Sequence, residues 1–173
     1  GGRQVCVHAF IGKLKDGTIA TYQTLPWNIR GWHGGGSSNN THIGFEICED
    51  GLTDPAYFSA VYKEAVELCV YLCKQFGLTE KNIICHSEGY KQGIASNHGD
   101  VMHWFPKHGK SMDTFRADVK AGLAAAETPA TPTTPKKYYR VQLGAFSVKA
   151  NADALLKKVK AAGFSDAFVK YSE

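Results

Sequence analysis

Three prolines fall within the eight residues Thr128-Pro129-Ala130-Thr131-Pro132-Thr133-Thr134-Pro135, and they divide the chain. Each fixes φ and removes a backbone donor, so neither a helix nor a central strand can run through them. The stretch predicts an extended, semi-rigid tether over residues 124–137. It separates a unit of residues 1–123 from a tail of residues 138–173. With 173 residues, the chain has room for one domain of ordinary size and a small appendage.

In the first unit, residues 4–13 read as a strand rich in Val, Phe and Ile. Asp16-Gly17 is a hairpin turn signal, and residues 18–24 alternate as the return strand. The mostly apolar run 41–48 suits a central strand buried on both faces. Asp54-Pro55 offers an N-cap and a first-turn proline. Phe58, Val61, Tyr62, Ala65, Leu68, Cys69, Leu72 and Phe76 then recur at three- and four-residue spacing, one stripe of a long helix that Gly77 ends. Residues 82–85 predict another short strand and 114–123 a final helix. Strands and helices interleave, so the fold class is α/β. In the tail, residues 138–146 and 167–171 read as strands around a helix over 151–162, a βαβ unit too small to bury a stable core alone.

Composition narrows the function classes. The chain is 43% hydrophobic and 21% charged, near the average of globular proteins. No unbroken apolar stretch of about 18 residues exists, so no membrane span is expected. A net charge of +4 and a pI near 8.7 suit an anionic partner such as a cell wall. Lys and Arg form no dense run with interleaved aromatics, so nucleic acid is not an expected partner. The five cysteines are odd in number, and Cys69 and Cys73 sit four apart on one predicted helix. Cys6, Cys48 and Cys85 lie in apolar runs. Buried free thiols are expected, not a disulfide scaffold.

Several polar residues could carry chemistry. His86 follows Ile83-Ile84-Cys85, where a buried strand would end and hold the ring at the open edge of a sheet. Fourteen residues on comes Asn97-His98-Gly99-Asp100, in a loop with little core character. His86 and Asp100 could give zinc a nitrogen and an oxygen, with His98 pointing into the same space. A structural histidine and a plain polar turn account for the same residues. Glu46 sits in His42-Ile43-Gly44-Phe45-Glu46-Ile47-Cys48, where an acid is costly to bury unless paired or used. Desolvation would raise its pKa and suit it to take a proton from water; strand alternation toward solvent is the other reading. Glu49 and Asp50 read as loop charges. Trp32-His33-Gly34-Gly35-Gly36 joins a flat apolar face and an imidazole to bare backbone that a chain-like substrate could approach. His103, Trp104 and His108 read as edge packing.

Taken in order, Leu25-Pro26, Gly31-Trp32-His33, Ile43-Gly44-Phe45-Glu46-Ile47-Cys48-Glu49, His86 and Asn97-His98-Gly99-Asp100 resemble the type 2 N-acetylmuramoyl-L-alanine amidases. The resemblance covers residues 4–123. It implies a central mixed sheet flanked by helices, one zinc in a surface groove, and hydrolysis of the amide between N-acetylmuramic acid and L-alanine in bacterial peptidoglycan. It further implies His86 and Asp100 as zinc ligands, Glu46 as the catalytic acid–base, His98 at the oxyanion-stabilising place, and Trp32, His33 and Asn97 near substrate. The family's first zinc histidine lies on a strand upstream of the one that residues 4–13 resemble. That ligand is therefore expected to be absent from these residues. The run Tyr139-Arg140-Val141-Gln142-Leu143-Gly144-Ala145-Phe146-Ser147 resembles the start of the sporulation-related repeat, a module that binds denuded peptidoglycan glycan. The implied place of work is the cell wall or the extracellular space. The alternatives are a peptidoglycan-recognition module without activity and a zinc peptidase acting on stem-peptide cross-links.

Overall fold

The computed structural model of the protein describes residues 5–127 and 143–169. The chain divides into two compact units, one carrying a sheet and the other the C-terminal helix. Of the predicted tether over residues 124–137, residues 124–127 are helical and the rest lies outside the described residues.

The first unit is built on a hairpin. Strand β1 (Ala9–Lys13) pairs antiparallel with β2 (Ile19–Gln23), Ala9 opposite Gln23 and Lys13 opposite Ile19. The turn closes because Gly17 takes φ +87° and the Asp16 carboxylate accepts from the Thr18 N–H and hydroxyl at 3.0 and 2.7 Å. A one-turn helix α1 (Ser38–Thr41) precedes β3 (Phe45–Ile47), which lies parallel to β1 with Ala9 beside Phe45. The order β2-β1-β3 makes a three-stranded mixed sheet, and the fold is α/β as the sequence implied.

Helix α2 (Pro55–Phe76) covers one sheet face, where Ala9 and Ile11 are fully buried. Its start is fixed by the Asp54 carboxylate, which accepts from the Ala56 and Tyr57 N–H groups at 2.8 and 3.2 Å. Its end is fixed by Gly77 at φ +65°, whose N–H reaches the Cys73 carbonyl. Of the predicted stripe, Phe58, Val61, Tyr62, Ala65, Leu68, Cys69 and Leu72 are buried, joined by Tyr57 and Cys73, whereas Phe76 at the helix end is 42% exposed. Each large apolar side chain so buried stabilises the fold by about 1.5–3 kcal/mol. Helix α4 (Met112–Glu127) packs on α2, joining Phe115 to a ring cluster of Phe58, Tyr62 and Phe105 with centroids 5.4–5.9 Å apart. The Tyr62 hydroxyl donates to Asp118 across this seam at 2.7 Å.

Two predicted strands come out differently. Of residues 41–48 only Phe45–Ile47 is strand. Residues 82–85 form no strand at all: a 3-10 turn, Glu80–Asn82, leads through an extended Ile83–Cys85 into the short helix α3 (His86–Lys91). The cause is that backbone groups a sheet would use are taken by side chains. The Cys85 N–H goes to Glu88 Oε2 at 3.1 Å, and the Ile83 carbonyl accepts from Arg116 at 3.1 Å. His86 therefore opens a helix and does not end a strand. All five cysteines are free thiols, but only Cys69, Cys73 and Cys85 are buried; Cys6 and Cys48 lie at the surface, outside the α2 seam.

In the second unit, helix α5 (Lys149–Ala161) occupies the predicted helical run, and Gly163 follows at φ +103°. The described parts of the two predicted strands, residues 143–146 and 167–169, carry no strand pairing. The rest of both runs lies outside the described residues. No residue of α5 is fully buried; Leu155, Leu156 and Val159 are half-buried. So small an apolar face gives a strand pair little to cover.

Candidate functional site

The open face of the sheet, opposite α2, carries the site. Directly paired residues point to the same side, so the register puts Tyr22, Phe10 and Glu46 in one cross-strand row. All three are exposed. Glu46 reaches solvent, yet its surroundings desolvate the carboxyl enough to raise its pKa; the negative charges of Asp100 and Glu49 push the same way, and His98 opposes them.

Beside this row runs the loop that carries Trp32 and His33. The buried Asn39 side-chain oxygen accepts from the His33 and Gly34 N–H groups at 2.8 and 2.7 Å, which sets the loop backbone. The His33 ring lies against Gly44, where any Cβ would overlap it, and its Nε2 reaches the His42 carbonyl at 3.1 Å. Burial lowers the His33 pKa; the hydrogen bond to the His42 carbonyl opposes this, and the neighbouring His8, His42 and His86 rings add to the lowering. His8 is buried at 1% exposure, and its Nδ1 accepts the Gly44 N–H at 3.1 Å. Trp32 exchanges two backbone hydrogen bonds with Cys6, at 2.8 and 3.1 Å, and leaves its ring 51% exposed. The Arg30 guanidinium lies 4.8 Å from that ring's centroid.

Helix α3 and the loop after it supply the polar centre. The ligand atoms of His86, His98 and Asp100 all lie within 4.8 Å of one another. His98 Nδ1 is 2.9 Å from Asp100 Oδ2, and the His86 and His98 ring centroids are 5.2 Å apart. The Ser87 N–H donates to the Asp100 carbonyl at 3.0 Å, stitching the loop to the helix. His86 Nε2 lies 3.2 Å from Ser96 Oγ, which in turn donates to the Gly34 carbonyl at 3.2 Å. Nitrogen and carboxylate oxygen at this spacing are a donor set that fits zinc.

The residues singled out in the sequence thus divide. His86, His98 and Asp100 come together, with Glu46 as their electrostatic neighbour. Trp32 and His33 lie on the adjoining loop, and Asn97 is exposed one residue before His98. Trp104 and His108 pack as expected, His108 stacked on Phe58 with centroids 4.1 Å apart. Glu49 and His103 do not behave as loop charge and edge packing. His103 stands between two carboxylates, with Nε2 hydrogen-bonded to Glu49 and Nδ1 3.3 Å from Asp100 Oδ1. No local pattern announces a contact between residues 54 positions apart.

A mixed sheet with one face sealed by a helix and the other bearing an imidazole–carboxylate cluster defines an α/β domain with a candidate metal centre. The chain belongs to the N-acetylmuramoyl-L-alanine amidase family, whose profile matches residues 1–103. The SPOR domain profile matches residues 114–173, beginning within α4. No curated protein matches the chain.

Proposed function

We propose that the protein hydrolyses the amide between N-acetylmuramic acid and L-alanine in peptidoglycan, with the residues up to the end of α4 as the amidase, the stretch from there to residue 137 as a tether and 138–173 as a module that binds denuded glycan. Membership of the amidase family supports action on peptidoglycan. The convergence of His86, His98 and Asp100 beside Glu46 supports the reaction.

In this reading His86 and Asp100 would hold a zinc ion, which would supply Lewis-acid polarisation of the scissile carbonyl and of the attacking water. Glu46, with its raised pKa, takes the proton from that water and delivers it to the leaving amine. His98 donates to the oxygen on which charge develops. Trp32 offers its exposed ring to the sugar, and His33 and Asn97 line the approach. The glycan-binding module keeps the enzyme near strands already stripped, raising its effective concentration there. The place of action is the cell wall. No helix among the described residues is long and apolar enough to cross a membrane.

A second reading of His98 rests on the same geometry. Its ligand atom lies within 4.8 Å of those of His86 and Asp100, so it can serve as a third zinc ligand.

The test is Glu46→Gln, assayed on purified cell walls with mass identification of products. Turnover should fall by roughly 10²–10⁴-fold with zinc content unchanged. Near-normal turnover by the variant would end the role given to Glu46. Wild-type protein that binds walls and releases nothing would instead be a recognition module; release of cut cross-links would make it a stem-peptide peptidase.

A further inference from the structure

A carboxylate that gives one oxygen to a cation leaves the other to be held by its surroundings, and that outer contact sets the ligand's direction. Asp100 is about one-third exposed, at 32%, so its side chain has rotamers to lose on binding metal. Its Oδ2 faces His98, on the side of the His86 group. Its Oδ1 faces His103 Nδ1 at 3.3 Å. The opposite nitrogen of the same ring is hydrogen-bonded to Glu49.

Glu49, Asp100 and His103 could be taken for a second cation site, since their ligand atoms also lie within 4.8 Å of one another. The ring's orientation argues otherwise. The two imidazole nitrogens point away from each other, each toward a different carboxylate, and one ion can sit in front of only one of them. The ring fills the space between the acids as a bridge.

We infer that His103 and Glu49 are positioning residues: Glu49 fixes the His103 ring, and the ring fixes the Asp100 carboxylate with Oδ2 turned toward the metal. This rests on the reading of Asp100 as a zinc ligand. The main chain of Asp100 is already tied by the Ser87 N–H, so the ring supplies the restraint on the side chain that the backbone does not. Ordering the ligand before the ion arrives lowers the cost of binding.

The experiment measures zinc dissociation constants of the full chain by competition with a chromogenic chelator. Asp100→Asn is the benchmark. His103→Ala and Glu49→Met are each expected to weaken zinc roughly 10-fold, with the melting midpoint of chelator-treated protein unchanged. The double variant should be no weaker than His103→Ala alone, because the two act in series. His103→Asn, which can return an N–H near the Nδ1 position, should recover part of the loss. If Asp100→Asn loses affinity while His103→Ala and Glu49→Met bind as wild type, the bridge is refuted and the zinc reading stands. If Asp100→Asn itself binds as wild type, both fall. Should His103→Ala melt early, Glu49→Met, similar in length but without the acceptor, decides alone.

Discussion

Arg116 grips Glu88 with two hydrogen bonds of 3.0 Å, one from each terminal guanidinium nitrogen. Arg116 sits on α4 and Glu88 in the first turn of α3, the helix that His86 opens. The candidate site is thus braced from the C-terminal helix of the first unit. Burial alone would raise the Glu88 carboxyl, but the guanidinium and the Cys85 N–H hold it below its ordinary value.

A carboxyl whose pKa is lower in the folded chain than in the unfolded one stabilises above the unfolded value, and the contribution fades as pH falls through the folded value. Arg116→Met should therefore cost about 1–3 kcal/mol at pH 7. In urea titrations the gap from wild type should narrow below about pH 4, near the ordinary range of a Glu side chain. A gap that stays constant down to pH 3 would show that Glu88 is not the partner that matters.

Phe58 touches Trp104, Phe105, Tyr62 and His108 and is 4% exposed. Phe58→Ala should lower unfolding free energy by about 3–5 kcal/mol, through lost burial and the cavity left behind. Chemical denaturation reads this directly; a loss under 1 kcal/mol would mean that the cluster collapses freely.

Asn39→Ala removes the acceptor of two loop N–H groups, and Asn39→Asp keeps it. The first should raise KM on cell-wall fragments more than it lowers kcat, because Trp32 and His33 lose their fixed backbone. The second should restore most of the binding. Equal effects from both variants would assign Asn39 a packing role only.

The two readings of His98 predict opposite behaviour for a lysine there. His98→Lys keeps a cationic donor for a developing oxyanion, so turnover should survive within about 10-fold if that is the role. His98→Ala should then lose 10²–10³-fold in kcat with zinc retained. If His98 is instead a ligand, both variants lose zinc, which metal analysis detects before any assay.

Legibility in the sequence followed the range of the forces involved. Helix α2 was readable from end to end because Asp54, Pro55, the apolar stripe and Gly77 each act within a few residues. The hairpin was readable for the same reason at Asp16-Gly17. The strand expected over residues 82–85 failed because Glu88 and Arg116 take hydrogen bonds that local pattern assigned to a sheet, and Arg116 is 33 residues from Ile83. The pairing of His103 with Glu49 was invisible, since an exposed His and an exposed Glu carry no periodicity. Glu46, His86, His98 and Asp100 were picked out by their order along the chain, which composition alone could not have supplied.

Gly44 has a reach beyond its own position. Its missing side chain lets the His33 imidazole rest against the strand, while its N–H is anchored by His8. A single methyl group there would push the ring aside. Clearance above this part of the sheet is therefore metered by one hydrogen atom, on the smallest residue in the protein.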